Sequence, residues 1–287
     1  MSLRTYTLAL VVLLSGLAAA QDAPPVQPPP TLEPAKVQAL QREIDKLRNN
    51  NAEARAKTEA VVIDYGRGAI PFLVAEGHTG HEGQQAGLVN CLLALADMND
   101  RELVATSLTS QYVTLRRFAT RKAGELELPA LLEALPPLLK DTDEQVRTEA
   151  ALALVAHGNE AGLPVAAFAL NGPLRDRARA AIHGVAGKGK HENIGALLVI
   201  DAKREREEPD VASKERLAAV DVLYAIGDDA SIALLVGALD DHHNLVQRAA
   251  INALRDLLEQ QGPMVGSSIF QQIKEVERLK EVYKQPR

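Results

Sequence analysis

Apolar residues recur at intervals of three and four positions through most of the chain. The first such stripe runs through Val37, Leu40, Ile44 and Leu47, and similar stripes follow toward the C-terminal end. This spacing places apolar side chains on one face of an α-helix. No segment shows a convincing alternation in steps of two, which is the pattern of a half-buried strand. The sequence therefore predicts an all-α protein whose helices begin after Thr31.

The helices are predicted to come in pairs, and the clearest pair lies between Leu128 and Gly158. Its first helix is a leucine-rich run, and Asp141 occupies the following turn. Val146 and Arg147 then open a second helix, rich in Ala and Leu, that ends at Gly158. Glycine commonly ends helices because it adopts the left-handed backbone conformation without strain. Each unit therefore consists of a helix, a short turn and a second helix that ends at a glycine.

The same arrangement recurs along the chain. Asp241 and Val246 repeat the spacing of the clearest unit, with Gln247 in place of its arginine. Looser copies of the second helix start at Arg177 and Arg216, and more degenerate ones lie upstream, at residues 82–96 and 113–125. Units about thirty to forty residues apart are typical of helical solenoids, in which each pair buries its apolar face against its neighbours.

This unit, with an Asp five residues before Val-Arg and an Ala-Leu-rich helix ending in Gly, resembles the HEAT repeat and its bilin-lyase-type variant. The resemblance implies an α-solenoid of about seven helix pairs over residues 32–262. In the HEAT family the turn Asp and the helix Arg bond between neighbouring repeats. The resemblance thus implies structural roles for a set of repeat positions, namely Asp141, Val146, Arg147, Arg177, Arg216, Asp241 and Val246.

Two segments depart from the repeat. The unit between Asn193 and Gly227 is longer than the others and carries a mixed-charge run at residues 203–210, which we interpret as a solvated helix end and loop. Residues 263–287 form a predicted C-terminal capping helix, because a solenoid needs a polar end. Its apolar stripe comprises Ile269, Ile273, Val276 and Leu279.

The N-terminal residues have the pattern of a targeting signal followed by a linker. Residues 1–20 contain Arg4, an apolar run and three consecutive alanines, which predict a cleavable signal peptide. Retention as an uncleaved anchor is the alternative. Residues 21–31 are rich in proline and favour an extended linker. The protein is therefore expected to be exported, either to a periplasm or out of the cell, and to have no membrane contact after cleavage.

Composition narrows the classes of partner. The chain is 46% hydrophobic and 24% charged, which suits a folded protein rather than a disordered one. A formal charge of −6 and an aromatic content of 3%, without tryptophan, argue against nucleic acid, whose binding usually needs a basic face or stacking aromatics. The single cysteine, Cys91, lies in an apolar helical run and is expected to be a small buried hydrophobe.

Candidate chemistry is sparse. Residues 184–191 fit the spacing of a phosphate-binding loop, but His191 stands where that loop needs Ser or Thr, and a helix rather than a strand precedes it. His81-Glu82 and His191-Glu192 resemble the His-Glu pairs of the HEAT-like deoxyhypusine hydroxylases, but only two pairs are present where that family has four. The sequence thus predicts no enzyme, no cofactor and no metal, with a metal-dependent enzyme using these pairs as the alternative.

Basic residues on the predicted second helices suggest a binding surface. In an acidic protein they could form a local positive stripe that holds an acidic protein segment or an anionic polymer. The alternative is that they are ordinary solvated charges among Glu125, Asp176 and Asp256. Function is accordingly expected to be that of an interaction scaffold with a protein partner, or of a regulator of another exported enzyme. The stripe comprises Arg116, Arg117, Arg121, Lys122, Arg175, Arg179, Arg248 and Arg255.

Overall fold

A computed structural model describes residues 26–78, 82–264 and 266–284. Within these ranges the chain forms helices, turns and loops but no strand, so the all-α prediction is confirmed. The predicted signal peptide, residues 1–20, lies outside the described residues, as does His81. Among the described residues, no helix is both long and apolar enough to span a bilayer.

Among the described residues there are sixteen α-helices, and fourteen of them form seven consecutive pairs, which confirms the predicted solenoid. The first four pairs are α1 (Pro34–Lys46) with α2 (Ala52–Ile63), α3 (Ile70–Gly77) with α4 (Glu82–Leu95), α5 (Arg101–Ser107) with α6 (Val113–Leu126), and α7 (Pro129–Glu133) with α8 (Glu144–Ala156). The last three are α9 (Leu163–Ala169) with α10 (Arg175–Ile182), α11 (Glu192–Gly195) with α13 (Pro209–Ile226), and α14 (Asp229–Ala238) with α15 (Asn244–Glu259).

The two remaining helices account for the irregular segments. The short helix α12 (Ala202–Glu207) is the insertion inside the sixth pair, and α16 (Ile269–Lys284) packs on α14 and α15 at the C-terminal end. Consecutive second helices pack side by side, and we call the surface that they form the second-helix face. It is built from α2, α4, α6, α8, α10, α13 and α15.

The apolar core consists of two clusters that meet at α8. Ala153 and Leu154 belong to the cluster that begins at Leu40, whereas Ala151, Leu152 and Val155 belong to the cluster that extends to Leu279. All five side chains are buried. Because α8 contributes to both clusters, it is the helix that joins the two halves of the solenoid.

The extended segment after Pro25 is packed against the first repeats. The backbone N–H of Gln27 donates to Asn99 Oδ1 at 3.1 Å, and Arg67 Nη2 donates to the Gln27 carbonyl at 3.0 Å. Leu32 sits so close to Gly68 that a Cβ there would lie 2.8 Å from its Cδ2 atom. The end of the proline-rich segment is therefore anchored by the solenoid.

The apolar stripe of the capping helix was expected to be buried, but only part of it is. Leu279 is fully buried, but Ile269 is 74% exposed and Ile273 is also exposed. In the first turn of α16 the buried residue is Gln272. Successive residues of a helix are about 100° apart, so Ile273 points well away from the direction of Gln272.

Candidate partner-binding face

Two of the ion pairs that link neighbouring repeats occupy equivalent repeat positions. Arg116 on α6 donates from Nε and Nη2 to both carboxylate oxygens of Asp141, in the turn of the next pair, at 2.7 and 3.0 Å. Arg216 on α13 donates from Nε to Asp241 Oδ2 at 2.6 Å, again one pair further along. Val146 and Val246 are fully buried beneath these turns. The two turn aspartates thus fasten one pair to the next.

Arg147 bonds within its own turn instead. Its Nη1 donates to the carbonyls of Asp141 and Thr142 at 2.7 and 3.1 Å. The residue 25 positions later, where Arg116 and Arg216 find an aspartate, is Gly172, so Arg147 has no equivalent carboxylate to reach. Arg177 pairs in the other direction, with Glu149 of the preceding second helix, through bonds of 2.9 and 2.7 Å.

Arg116 occupies the same position in its repeat as Arg147 does in the next one. The sequence analysis did not recognise this equivalence. It donates to the carbonyls of Ser110 and Gln111 just as Arg147 does in its own turn. Ser110 Oγ accepts the N–H of the residue two positions later, as the turn aspartates do. The available signal was this serine, which stands six residues before Arg116 and replaces the expected aspartate.

Most other members of the predicted basic stripe have partners within the chain. Arg117 binds Asp143 through two bonds of 2.9 and 2.6 Å, and the nearly buried Lys122 donates to the Leu93 carbonyl at 2.7 Å. Arg175 and Arg179 are exposed, and the half-buried Arg121 lies beside Glu125 at 3.3 Å. The remaining contacts are Arg175 with the Leu170 carbonyl, Arg248 with the Met264 carbonyl, and Arg255 with Glu275 and the Gly262 carbonyl.

A broad depression crosses the second-helix face at α6, α8 and α10. It consists of two adjoining grooves of about 650 and 340 Å³ that share Arg121, Glu149 and Arg177, and we call it the central trough. Phe168 lies at its edge and is 56% exposed. Small residues line the floor, namely Gly124, Ala153, Ala156, Ala180 and Ala181.

The depth of the trough follows from these small side chains. A Cβ on Gly124 would lie 2.8 Å from that of Ala153, so α6 and α8 approach closely at this point. Alanine also suits a helix interior because it loses no side-chain entropy there. Arg121 on α6 and Arg177 on α10 line the trough on either side of α8.

A second groove, of about 380 Å³, lies between α13 and α15 on the same face. Tyr224 is 37% exposed, and its hydroxyl donates to Asp256 Oδ2 at 2.6 Å, which raises the pKa of the phenol. Burial raises the pKa of Asp221, despite the Asn171 hydrogen bond and the charge of Arg175. The other lining residues are Val220, Ala249, Asn252, Ala253, Gln261 and Pro263.

His191 is placed in a buried cluster that does not include Glu192. Its Nδ1 lies 2.9 Å from Glu160 and its Nε2 lies 2.9 Å from Asp228, and the imidazole is fully buried. Glu192 is exposed. Within the described residues no group of three or more His, Cys, Asp or Glu side chains is arranged to hold a metal ion. The structure thus gives His191 carboxylate neighbours that its sequence context did not reveal.

The glycine-rich segment that resembles a phosphate loop donates a hydrogen bond to a carboxylate side chain of this protein. The Gly187 N–H donates to Asp228 Oδ2 at 2.8 Å. The segment follows α10 and leads into the short α11, with no strand before it.

Cys91, the other candidate reactive group, is buried, and burial raises its pKa to about 12. A thiol in that state is a poor nucleophile at neutral pH.

Asp141 and Asp143, in the turn of the fourth helix pair, should make the stability of the protein depend on pH. Hydrogen bonds from Arg116 and Arg117 lower the pKa values of Asp141 and Asp143 below their usual range. A lowered folded-state pKa adds stability above the unfolded value, about 3.9, and that stability disappears as the pH falls through the folded value. We therefore expect the free energy of unfolding to decrease as the pH falls below about 4.

Urea denaturation between pH 3 and pH 7 measures this effect, and the Asp141→Asn/Asp143→Asn variant is the control. Asparagine keeps the size and can still cap α8, but it has no charge to lose. The variant should be less stable at pH 7 and should show a shallower decline in acid. An equal slope in both proteins would contradict the assignment.

Comparison with known proteins identifies repeats in two segments of the chain. A family model of HEAT repeats matches residues 100–186, and a model of the PBS lyase HEAT-like repeat matches residues 215–241. No curated protein matches the chain. Among solved structures 13 chains match, including a crystal structure of an engineered protein that is 18% identical, covers 88% of this chain and 80% of its own, and has a TM-score of 0.37.

HEAT repeats generally mediate protein–protein interaction. The two matched segments contain the Arg116–Asp141 contact and the Arg216–Asp241 contact, which each link a helix pair to the next one. With its seven consecutive helix pairs among the described residues, this chain has the fold of an all-α solenoid, and residues 100–186 and 215–241 match HEAT-type repeats.

Proposed function

We propose that this protein is an exported, non-enzymatic scaffold that holds a segment of a partner protein in the central trough. The observation that carries the proposal is the continuity of that trough across three consecutive second helices. Export is supported by the signal-peptide pattern of residues 1–20. A binding role is supported by the repeat class, whose stacked helices offer extended surfaces to partners.

The dimensions of the trough suit a short extended segment. Neighbouring helices pack with axes 8–10 Å apart, so three helices span roughly 20 Å. An extended chain rises about 3.3 Å per residue, and roughly six residues would therefore cross the trough. Such a segment can lay small apolar side chains on the alanine floor and one larger side chain against Phe168.

Net charge does not select the segment in the trough. The larger of its two grooves is lined by three arginines and three acidic residues, so their formal charges balance. Arg117 and Arg177 are held by two-bond pairs with Asp143 and Glu149, which fix their orientation. Arg121 is the most adaptable donor, because an exposed pair with a residue four positions away contributes little. Shape and hydrogen bonding would therefore hold the partner here.

Affinity capture with a blocked trough tests the proposal. Ala156 and Ala180 are exposed alanines of the trough lining, and arginine at both positions would fill the space while preserving helix propensity. The mature chain, residues 21–287, should recover a partner from the cell-envelope fraction of its source. The Ala156→Arg/Ala180→Arg variant should recover it about tenfold less efficiently.

The matched control places arginine at two exposed alanines outside the trough. Ala105 on α5 and Ala130 on α7 lie on first helices. The Ala105→Arg/Ala130→Arg variant should capture the partner as well as the unaltered protein does. Equal recovery by all three proteins would rule out the trough as the binding site. If the captured partner is an enzyme whose rate changes on binding, the scaffold acts as a regulator.

A further inference from the structure

The groove between α13 and α15 differs from the central trough in charge. Two carboxylates, Asp221 and Asp256, line it, and no basic side chain does. The basic residues of α15 point to other partners, because Arg255 pairs with Glu275 and Arg248 reaches the Met264 carbonyl. In the part of the chain that the structure describes, no cationic side chain lines this groove.

Cations on the adjacent α10 act only from outside the lining. The positive charge of Arg175 acts to lower the pKa of Asp221, and that of Arg179 acts to lower the pKa of Tyr224. Even so, the pKa of Asp221 is raised, because burial outweighs the stabilising contacts of its anion. A half-buried carboxylate in this condition gains from a cation brought into the groove.

The remaining lining residues complete a receptor for a long cationic side chain. Val220, Ala249 and Ala253 form an apolar floor along which a methylene stem can lie. Tyr224 presents a partly exposed ring, and a guanidinium over such a ring is attracted by its π-electrons. Its hydroxyl already donates to one oxygen of Asp256, which leaves the other oxygen as an acceptor.

We propose that this groove receives an arginine or lysine side chain of a protein partner, and that Asp221 and Asp256 are its carboxylate contacts. The inference rests on the proposed function as an interaction scaffold and specifies the chemistry of part of that partner. It differs from the sequence-based hypothesis, in which a basic stripe on the same face would hold an acidic segment.

A peptide pair that differs in one charge tests the assignment. The probes are acetyl-Ala-Ala-Arg-Ala-Ala-amide and the same peptide with citrulline, the uncharged analogue of arginine. Titrated into isotopically labelled mature chain, the arginine peptide should shift NMR signals of α13 and α15, including the Asn252 side-chain amide. It should bind about tenfold more tightly than the citrulline peptide, which is the scale expected for a charge-assisted hydrogen bond.

Two variants complete the experiment. Asp221→Asn/Asp256→Asn keeps the size of both side chains and should abolish the preference for arginine. Glu102→Gln removes an exposed carboxylate on α5, away from the groove, and should leave the preference unchanged. Equal affinity for both peptides, signal shifts confined to other helices, or an unaltered preference in the double variant would each overturn the assignment.

Failure of this inference can be separated from failure of the proposed function. If capture of the partner needs the central trough but the peptides are not distinguished, only the cationic site is wrong. If the arginine peptide binds the groove but the trough variant captures the partner normally, the trough proposal fails and the site remains.

Discussion

Replacing Asp241 by alanine is expected to lower the free energy of unfolding by about 3–5 kcal/mol, the range observed when one member of a buried ion pair is removed. Arg216 is 2% exposed and is held by Asp241 on one side and by Glu205 on the other. Without Asp241 the guanidinium would remain buried with only Glu205 as a counter-ion. Urea denaturation followed by circular dichroism measures the loss.

Matched variants separate charge from packing at this site. Asp241→Asn keeps the size and the oxygen that accepts the His243 N–H at 2.7 Å, so its loss reports mainly the missing charge. The double variant Arg216→Met/Asp241→Asn removes both buried charges and keeps the oxygen that accepts the His243 N–H, so it should cost less than Asp241→Ala alone. A loss in Asp241→Ala below about 1 kcal/mol, as for an exposed pair, would contradict this account.

The same contacts explain the mixed-charge insertion, which sequence reasoning interpreted as solvated. Glu205 of α12 binds Arg216 and also lies 3.2 Å from His242. The Arg216 hydrogen bond lowers the pKa of Glu205. The insertion is thus fastened to the solenoid at the junction of the sixth and seventh pairs. The rest of residues 203–210 is exposed, as the sequence indicated, and only Glu205 is half-buried, because it binds Arg216, which lies 11 residues later on α13.

Replacing Gly184 by alanine is expected to destabilise the protein by about 3 kcal/mol, at the upper end of the usual cost of overpacking. A Cβ at this position would lie 2.3 Å from the Ala156 carbonyl oxygen and 2.5 Å from that of Val155. Both atoms belong to the backbone at the end of α8, so no side-chain rotation can relieve the contact. The measurement is again the free energy of unfolding in urea.

Two other glycines provide controls for this substitution. Gly187 has a φ of +69° but open space around it, so Gly187→Ala should cost only about 1 kcal/mol, through backbone strain. Gly237 lies within α14, also with open space, and Gly237→Ala should stabilise the helix by up to about 1 kcal/mol. If Gly184→Ala were no worse than Gly187→Ala, close backbone packing would not be the reason for glycine at position 184.

Several local features of the fold could be predicted because their causes lie close together in the sequence. Asp143 caps α8 by accepting the Val146 N–H, and Gly227 ends α13 in the left-handed conformation. The first helix of the fourth pair was less predictable. Its leucine spacing suggested one helix, but Pro136 and Pro137 divide it into α7 and a separate 3₁₀ turn. A proline cannot donate the backbone hydrogen bond that would continue the helix.

The candidate sites were harder to predict, because they depend on which side chains meet across repeats. Arg116 looked like a member of a basic stripe until the structure placed Asp141 against it. His191 looked like half of a His-Glu pair, but its neighbours are Glu160 and Asp228, from two other repeats. The acidic groove had no sequence signal, since Asp221 and Asp256 lie 35 residues apart on helices of ordinary composition.

By itself the sequence determined that this chain would form paired helices stacked into a solenoid, because apolar periodicity, turn aspartates and helix-ending glycines act over a few residues. Only the tertiary structure decided which charges neutralise one another, where α8 joins the two core clusters, and which grooves stay open on the second-helix face. Those outcomes depend on the packing of helices roughly thirty residues or more apart, and the charge of one side chain has no defined effect until its neighbours are in place.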